Sequence, residues 1–476
     1  MLPHDREGLS LDLVGLRRAF QSDGLTALGL IELIIKRLAA AGDDHVWIAR
    51  SAPDALRARA IALDEERQKD PAAFARLPLF GVPFAVKDNI DVAGFATTAG
   101  CPAFAYVPAA TAFAVERLLA AGAIIIGKTN LDQFATGLVG TRSPYGVPSN
   151  PFDRHYVPGG SSSGSAVAVA KGLVSFALGT DTAGSGRVPA AFNNIVGLKP
   201  TIGIVSTAGV VPACRTLDCV SILALTAADA ACLIELCAVY DPRDPYARPV
   251  QPSRPIGPSF RFAMPRASDR EFFGDSASAA SFARTGSALE EIGGTRIEID
   301  FAPFRAAAAL LYGGPWLAER FVVVEPLLSR APEALLPVTR EVIAAARQYS
   351  ASDAFKAFYR LAELRREAEA LWQEADVLVV PTAGTIYTLD EVAAEPLARN
   401  TDLGFYTNFV NLLDLAAVAL PAGFCRGGLP FGVSLIGPAF ADHALLSLAW
   451  RLQRHLDLPL GATRHKLAGT VNRPRQ

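Results

Sequence analysis

Two segments rich in glycine and serine carry most of the chemistry that this sequence offers. Residues 159–165 read GGSSSGS, and further along Ser185 stands between Gly184 and Gly186. Glycine lets backbone approach a ligand closely, and a serine hydroxyl becomes a nucleophile or proton relay beside a base. Such stretches are most often linkers. The flanking residues 166–170 (AVAVA) and 174–178 (VSFAL) are apolar like a protein core, so we interpret the region as a functional loop.

The base that activates such a serine is not expected to be histidine. His155 is the only histidine close to these segments. Lys87 follows the apolar run 83–86, and a lysine in apolar surroundings loses proton affinity and can act as a base near neutral pH. Asp88 would oppose that effect if its side chain were close. The alternative is an ordinary Lys–Asp pair on a solvated loop.

At these residues the chain resembles a known family, the amidase signature hydrolases. The stretches that carry the resemblance are PFAVKDN at 83–89, VPGGSSSGSA at 157–166 and GTDTAGSGRVPAAFNNIVGLKPT at 179–201. The resemblance implies a Ser-Ser-Lys set: Ser185 is the nucleophile, Ser161 relays protons from a cis peptide, and Lys87 is the base. Ser162 and Ser163 also qualify by residue type, but the family's spacing between its two serines selects Ser161.

The loop that leads into Ser185 is predicted to form an oxyanion hole. Its small residues are Thr182, Ala183, Gly184 and Ser185. Small side chains let several backbone N–H groups converge on one point, as an oxyanion hole requires. Asp181 and Arg187 flank the loop, and we interpret them as a charged pair that braces it rather than as catalytic groups.

Within that family, three stretches look most like the allophanate hydrolases, namely residues 192–201, 211–221 and 311–321. Ala183 and Gly186 depart from the broader family pattern, and both departures look like the same variant. The resemblance therefore implies hydrolysis of allophanate, a small urea that carries a carboxylate, with release of ammonia. Thr136 and Gly137 match a cleft-lining position of the family and are further substrate-binding candidates.

Tyr312 and Arg320 decide the expected substrate. Pro315 favours the first turn of a helix, which places Arg320 inside that helix and Tyr312 just before it. A guanidinium fork binds a carboxylate through two parallel hydrogen bonds, which suits a small anionic amide such as allophanate. The alternative is a surface arginine paired with Glu319 or Glu325.

Other functions stay open. One is a general small-amide amidase or the glutaminase subunit of a tRNA-dependent amidotransferase. Another is a scaffold that has lost activity, which the intact Lys87, Ser161 and Ser185 disfavour. The Ser-Ser-Lys chemistry implies no organic cofactor and no metal. The six cysteines form no CxxC pair and are expected to be reduced, buried thiols.

The composition limits which binding partners and which cellular location are expected. Of 476 residues, 51% are hydrophobic and 19% charged, which predicts a large buried core. A net charge of −2 provides no basic field for nucleic acid. No signal peptide is evident, and no apolar run is long enough to span a bilayer. We expect a cytoplasmic protein without a membrane partner, and the resemblance implies a homodimer.

The chain alternates strand-like and helix-like segments, which predicts an α/β fold: a large mixed sheet covered by helices on both faces. The resemblance implies a single domain over 1–476. The related hydrolases often carry an additional C-terminal domain, which we do not expect in this chain; either it is a single-domain member or the sequence is part of a longer protein. The expected parts of the domain are a helical N-terminal part at 1–75, a catalytic core at 80–240, a Pro-rich surface connection at 241–265 and a remainder at 266–460. Ser352 is expected to cap a long helix at 352–374, and residues 460–476 to form a loose tail.

Overall fold

The structure, a computed structural model, describes residues 8–467, and its strands join one mixed sheet. The strands are β1 (Trp47–Arg50), β2 (Pro83–Lys87), β3 (Ile124–Thr129), β4 (Phe176–Asp181), β5 (Val196–Lys199), β6 (Cys219–Ala224), β7 (Phe260–Pro265), β8 (Gly294–Ile299), β9 (Val377–Pro381), β10 (Leu415–Phe424) and β11 (Pro430–Pro438). Their order across the sheet is β1-β3-β2-β4-β6-β5-β10-β11-β9-β7-β8.

The helices lie between these strands in the chain. They are α1 (Leu13–Ser22), α2 (Ala27–Ala41), α3 (Pro53–Lys69), α4 (Ala73–Arg76), α5 (Phe113–Ala120), α6 (Ser163–Ala170), α7 (Arg187–Phe192), α8 (Ala227–Cys237), α9 (Ser276–Glu291), α10 (Ala302–Tyr312), α11 (Leu317–Arg330), α12 (Pro337–Ala344), α13 (Ala351–Glu369), α14 (Leu371–Glu374), α15 (Leu389–Ala394), α16 (Ala398–Leu403), α17 (Phe409–Leu412) and α18 (Asp442–Leu456). Short 3-10 helices, among them Gln133–Ala135, connect some of them.

Parallel pairing sets the edge of the sheet on which the site forms. β2 pairs in parallel with β3 on one side and with β4 on the other. The carboxyl ends of parallel strands meet at the same edge of a sheet, which is where ligands bind in open α/β folds. Lys87 is the last residue of β2 and Thr180 is the last but one of β4, so both lie at that edge.

Both faces of the sheet are covered, which confirms the predicted fold class. Side chains alternate across a strand, and along β9 Val377 and Val379 join one apolar cluster while Leu378 and Val380 join another. The first cluster includes side chains of α8 and α18, and the second includes side chains of α10, α13 and α17. The core is thus two apolar layers with the sheet between them.

The N-terminal part contains a strand that sequence patterns did not indicate. β1 is short and pairs antiparallel with β3, so residues before the catalytic core extend its sheet. The Pro-rich segment leads from α8 to β7, on the far side of the sheet order. The described strands all share one sheet, and the single-domain organisation stays a prediction.

Two local expectations were wrong. Ser350, not Ser352, caps α13, because Ser350 and Asp353 form a reciprocal capping box in which each side chain bonds the other's backbone N–H. Residues 460–467 are packed rather than loose: Leu460 is buried, and Asn194 Nδ2 donates to the carbonyls of Pro459 and Gly461 at 2.8 and 2.9 Å. The rest of the expected tail, 468–476, lies outside the described residues.

No helix in residues 8–467 combines the length and the apolar character that crossing a membrane requires.

Candidate active site

Lys87 lies at the end of β2 with no solvent exposure. Its Nζ lies 2.7 Å from Ser161 Oγ and 2.8 Å from Thr180 Oγ1. Burial disfavours the charged ammonium and lowers the pKa of Lys87 to about 7, although the carboxylates of Asp132 and Asp181 oppose the shift. The amine can therefore exist in its neutral, proton-accepting form near neutral pH.

Asp88 does not oppose this effect, because its carboxylate is directed elsewhere. Its Oδ1 lies 3.1 Å from Lys128 Nζ, and its Oδ2 accepts the backbone N–H of Thr98 at 2.9 Å. Both side chains of the Lys128–Asp88 pair are fully buried. A solvated Lys87–Asp88 pair is thus ruled out, and the Lys87 amine bonds Ser161 instead.

Ser161 follows a cis peptide bond from Gly160, as the family resemblance implies. The next helix, α6, begins at Ser163 and is buried on all sides, which explains its lack of amphipathic periodicity. Glycine is required at position 160, since a side chain there would collide with the Asp132 carboxylate and with the backbone N–H of Gly140. The Asp132 carboxylate also accepts the Gly140 N–H at 2.9 Å, and this bond fixes the loop beside Ser161.

Ser185 lies between β4 and α7 with 2% of its surface exposed. Its hydroxyl donates to the carbonyl of Gly137 at 3.5 Å, and its carbonyl accepts the N–H of Ser162 at 3.2 Å. A backbone hydrogen bond therefore joins the two serine-rich segments directly. In this arrangement Gly137, and not Ser161, holds the Ser185 hydroxyl.

The loop before Ser185 is braced by the pair that the sequence indicated. Arg187 donates to both oxygens of Asp181, from Nε and Nη2, at 2.9 Å each. Burial favours the neutral acid and so raises the pKa of Asp181, but the adjacent guanidinium outweighs that effect and holds it below its ordinary value. Asp181 also accepts the backbone N–H groups of Gly184 and Gly186 at 2.8 and 3.0 Å.

The Asp181–Arg187 pair removes one donor from the predicted oxyanion hole. The N–H of Gly184 is already donated to Asp181, so of the predicted donors only the amides of Thr182, Ala183 and Ser185 stay candidates. Gly184 itself has φ +134° and a side chain there would collide with Thr407, so its role is to let the chain turn.

Arg320 is buried, which excludes the alternative of a surface arginine. It has 2% of its surface exposed. Its Nη1 donates to Ala135 O at 3.2 Å and to Thr136 Oγ1 at 3.1 Å, and its Nη2 to the hydroxyl of Tyr312 at 3.2 Å. Glu319, on the same helix, instead accepts the N–H of Thr216 at 2.9 Å.

Tyr312 ends α10 rather than merely preceding a helix, and α11, which carries Arg320, begins five positions later at Leu317. The guanidinium carbon of Arg320 lies 5.2 Å from the Tyr312 ring centroid, within cation–π distance. The ring therefore orients the guanidinium while the hydroxyl bonds to it.

All the predicted site residues meet in one place. Thr136 and Gly137 connect the two halves, since Thr136 contacts Arg320 and Gly137 contacts Ser185. Lys87, Ser161 and Ser185 each have at most 2% of their surface exposed. In surroundings this buried, charges and hydrogen bonds act more strongly than they would in water.

Three contributing residues were not foreseen from the sequence. Thr180 accepts a hydrogen bond from Lys87. Asp218 accepts the backbone N–H of Ala213 at 2.8 Å and the hydroxyl of Thr182. Arg142 donates to the carbonyl of Thr136 at 3.0 Å. Thr180 had a readable signal, because a buried strand that turns polar at its carboxyl end marks a ligand-binding edge.

The cysteines are free, and burial raises the pKa of Cys214 and of Cys237 to about 12. Within the described range, no cluster of three or more His, Cys, Asp or Glu side chains could hold a metal ion. The groups that meet at the site are hydroxyls, an amine and a guanidinium.

The chain is similar in sequence and structure to known amidolyases, hydrolases and amidotransferase subunits. The urea amidolyase of Saccharomyces cerevisiae is 46% identical over 435 residues, which cover 90% of this chain but 23% of that protein. The allophanate hydrolase of Kluyveromyces lactis has a similar structure, with a TM-score of 0.90 and 40% identity over 97% of this chain and 76% of that one. A glutamyl-tRNA(Gln) amidotransferase subunit from Chloroflexus aggregans is 34% identical, over 92% of this chain and 95% of the relative.

The chain thus spans about a quarter of the length of the yeast urea amidolyase and nearly all of the amidotransferase subunit. The amidase family model matches residues 29–446, a range that contains every residue of the site. The chain belongs to the amidase family.

Proposed function

We propose that the protein hydrolyses allophanate through an acyl-enzyme on Ser185. The observation that carries the proposal is Arg320, a buried guanidinium that Tyr312 orients and that shares one short segment, Thr136–Gly137, with the nucleophile. A buried cation beside the nucleophile favours a small substrate with its own carboxylate, because burial of that carboxylate requires a partner.

The proposed reaction starts with attack of Ser185 Oγ on the amide carbonyl carbon of allophanate. The Ser185 proton passes to Ser161 Oγ, while Ser161 gives its own proton to the neutral Lys87 amine, 2.7 Å away. The amides of Thr182, Ala183 and Ser185 stabilise the negative oxygen of the tetrahedral intermediate. This relay requires the Ser185 hydroxyl to exchange its long bond to Gly137 for one to Ser161.

Collapse of that intermediate breaks the C–N bond, and Lys87 returns its proton through Ser161 to the leaving nitrogen, so ammonia departs. Water, activated by the same pair, then releases the carboxylated acyl group from Ser185. That product breaks down to carbon dioxide and a second ammonia. The proposed steps use no organic cofactor and no metal ion.

We also propose a cytoplasmic homodimer, the homodimer being what the family resemblance implies. The net charge of −2 provides no field that would attract nucleic acid, and no membrane partner is proposed. The likeness to the amidotransferase subunit supports a second candidate, glutamine hydrolysis for a partner enzyme, and a general small-amide amidase is a third. Glutamine carries its carboxylate and its ammonium far from its amide, whereas allophanate places its carboxylate one atom away. We favour allophanate because Arg320, the proposed carboxylate partner, and Ser185 contact the same short segment, Thr136–Gly137.

The specificity test is Arg320→Leu. Removing one partner of a buried, hydrogen-bonded charge pair costs about 2–5 kcal/mol, so the variant should lose most allophanate hydrolysis, while hydrolysis of acetamide changes far less. Tyr312→Phe should have a milder effect, of about 1 kcal/mol, because it deletes one hydrogen bond and keeps the ring. Malonate, a small dicarboxylate, should inhibit the wild type competitively and not the Arg320→Leu variant.

Arg451→Leu is the control, since the half-buried Arg451 donates to the backbone carbonyls of Gly257, Pro258 and Ile292, which are not residues of the site. If Arg320→Leu keeps the preference for allophanate over acetamide, the substrate assignment fails and the protein is a small-amide hydrolase with the same Ser-Ser-Lys mechanism.

A further inference from the structure

Three consecutive carbonyl groups connect the substrate-binding arginine to the nucleophile. Arg320 donates to the carbonyl of Ala135 at 3.2 Å, Arg142 to that of Thr136 at 3.0 Å, and Ser185 to that of Gly137 at 3.5 Å. We call residues 135–137 the carbonyl bridge. Its position sets both the guanidinium that would hold the substrate carboxylate and the hydroxyl that attacks.

The carbonyl bridge has a backbone conformation that requires external support. Phe134 and Ala135, just before and at its start, have φ of 51° and 52°, in the left-handed region that non-glycine residues rarely adopt. Such conformations persist only where the surrounding structure holds them. The support must come from the side chains that contact the bridge.

Two of the three contacts come from groups that the substrate engages. Arg320 would divide its donors between the bridge and a carboxylate, and Ser185 has to release Gly137 to attack. The bond from Arg142 is the one that substrate does not contest. Arg142 can therefore hold the bridge throughout the reaction.

Arg142 is itself firmly placed. It is 4% exposed, its Nη2 donates to the carbonyl of Pro396 at 2.7 Å, and its backbone N–H donates to Asp132 at 2.8 Å. Its backbone carbonyl accepts the N–H of Gln133 at 2.7 Å. The side chain thus connects the bridge to the segment before α16, while its backbone is fixed next to the loop of Ser161. Its Nε is buried without a partner among the described residues, so the guanidinium reaches its surroundings through its two terminal nitrogens.

We infer that Arg142 is a positioning residue that fixes the carbonyl bridge and so sets Arg320 and Ser185 for the reaction. Asp132 is an opposing charge that holds Arg142 by its backbone, and Tyr312 and Arg320 lie within electrostatic range of its side chain. The inference rests on the proposed function for its substrate but concerns a residue outside the Ser-Ser-Lys set and outside the carboxylate site.

The inference has a signature that distinguishes it from a purely structural role. A displaced bridge should impair both ends at once, so Arg142→Met should weaken malonate inhibition and also slow the labelling of Ser185 by a fluorophosphonate. Arg320→Leu should weaken malonate inhibition and slow the labelling less than Arg142→Met does, because Arg142 still holds the bridge. Misplacement of reacting groups by about 1 Å can cost about 100-fold in rate, and we expect a loss of that order in kcat/KM for Arg142→Met.

The experiment measures, for each purified variant, the malonate inhibition constant, the labelling rate, kcat and KM for allophanate, and the melting temperature. Arg451→Met is the control, because Arg451 also donates to backbone carbonyls, those of Gly257, Pro258 and Ile292, which are not residues of the site. Arg142→Lys keeps the charge with a single donor group, should fall between wild type and Arg142→Met, and supplies the measurement if Arg142→Met does not fold.

Joint loss of malonate inhibition and labelling at a melting temperature close to that of Arg451→Met supports the inference. A folded Arg142 variant that keeps either property at the wild-type value overturns it. A wild type that is labelled by the fluorophosphonate and does not hydrolyse allophanate contradicts the proposed function instead, and the labelling comparison between the Arg142 and Arg451 variants still decides the role of Arg142.

Discussion

Ser185→Ala should lower turnover by about 10⁴-fold or more, the scale seen when a catalytic nucleophile is removed. The folded state should survive, because the hydroxyl makes only a 3.5 Å contact with Gly137 and loss of such a weak bond costs less than about 1 kcal/mol. Ammonia release measures the first effect and thermal unfolding the second.

The control for this change is Ser175→Ala. Ser175 is also a buried serine beside β4, but its hydroxyl has no hydrogen-bond partner within residues 8–467, so its removal should leave both activity and stability almost unchanged. Retention of more than a few per cent of activity by Ser185→Ala would exclude Ser185 as the nucleophile.

Lys87→Ala should remove most of the rate together with its dependence on pH. A general base works only when deprotonated, and the pKa of Lys87 is lowered to about 7. Wild-type kcat/KM should therefore rise with pH through about 7 and level off above it. The variant should lack this ascending limb in whatever activity remains.

Lys87→Met, which keeps most of the side-chain volume, separates chemistry from packing and should lose the limb as well. It also provides a readout that is independent of turnover. Because the folded pKa lies below the value of 10.5 for an unperturbed lysine, the unfolded state binds more protons between these values. The stability of the wild type relative to Lys87→Met should therefore increase with pH across that window. Lys199→Met is the control, a buried lysine bonded to the Pro200 carbonyl. An ascending limb that persists in both Lys87 variants would identify another base.

The sequence predicted which candidate catalytic residues lie together better than it predicted their hydrogen bonds. The stretches that contain Lys87, Ser161 and Ser185 have a composition that loops and linkers rarely show. The family resemblance then gave each of the three residues its expected role. Motifs of this kind mark residue types at fixed spacings. They do not determine which rotamer a hydroxyl adopts, and the contact of Ser185 with Gly137 depends on a segment distant in the chain.

The same limit explains the missed residues. Arg142 and Asp218 act through bonds to backbone groups of other segments, Thr136 and Ala213 among them, and residue type alone does not reveal such partners. Asp181 was placed correctly beside Arg187, but its further bond to the N–H of Gly184 reassigns one expected oxyanion donor. Every residue except proline has the same backbone N–H donor. Only the three-dimensional structure therefore shows which of these donors already have an acceptor.

Fold class was predictable for a different reason. Alternating strand and helix patterns along the chain predict a sheet covered on both faces. That prediction holds even when the boundaries of single elements are wrong. β1 was not predicted. A four-residue strand with half-buried side chains at a sheet edge has too little apolar pattern to distinguish it from a loop. The cap of α13 was missed by two residues, within the ordinary uncertainty of helix ends.

The most direct measurement of the central claim is ammonia release by the wild-type protein from allophanate, acetamide and glutamine, assayed side by side under the same conditions. The proposed role of Arg320 predicts that kcat/KM for allophanate exceeds that for acetamide by the same factor that Arg320→Leu abolishes, with glutamine poorer still. Equal rates with allophanate and acetamide, or a preference for glutamine, would contradict the assignment of allophanate as the substrate.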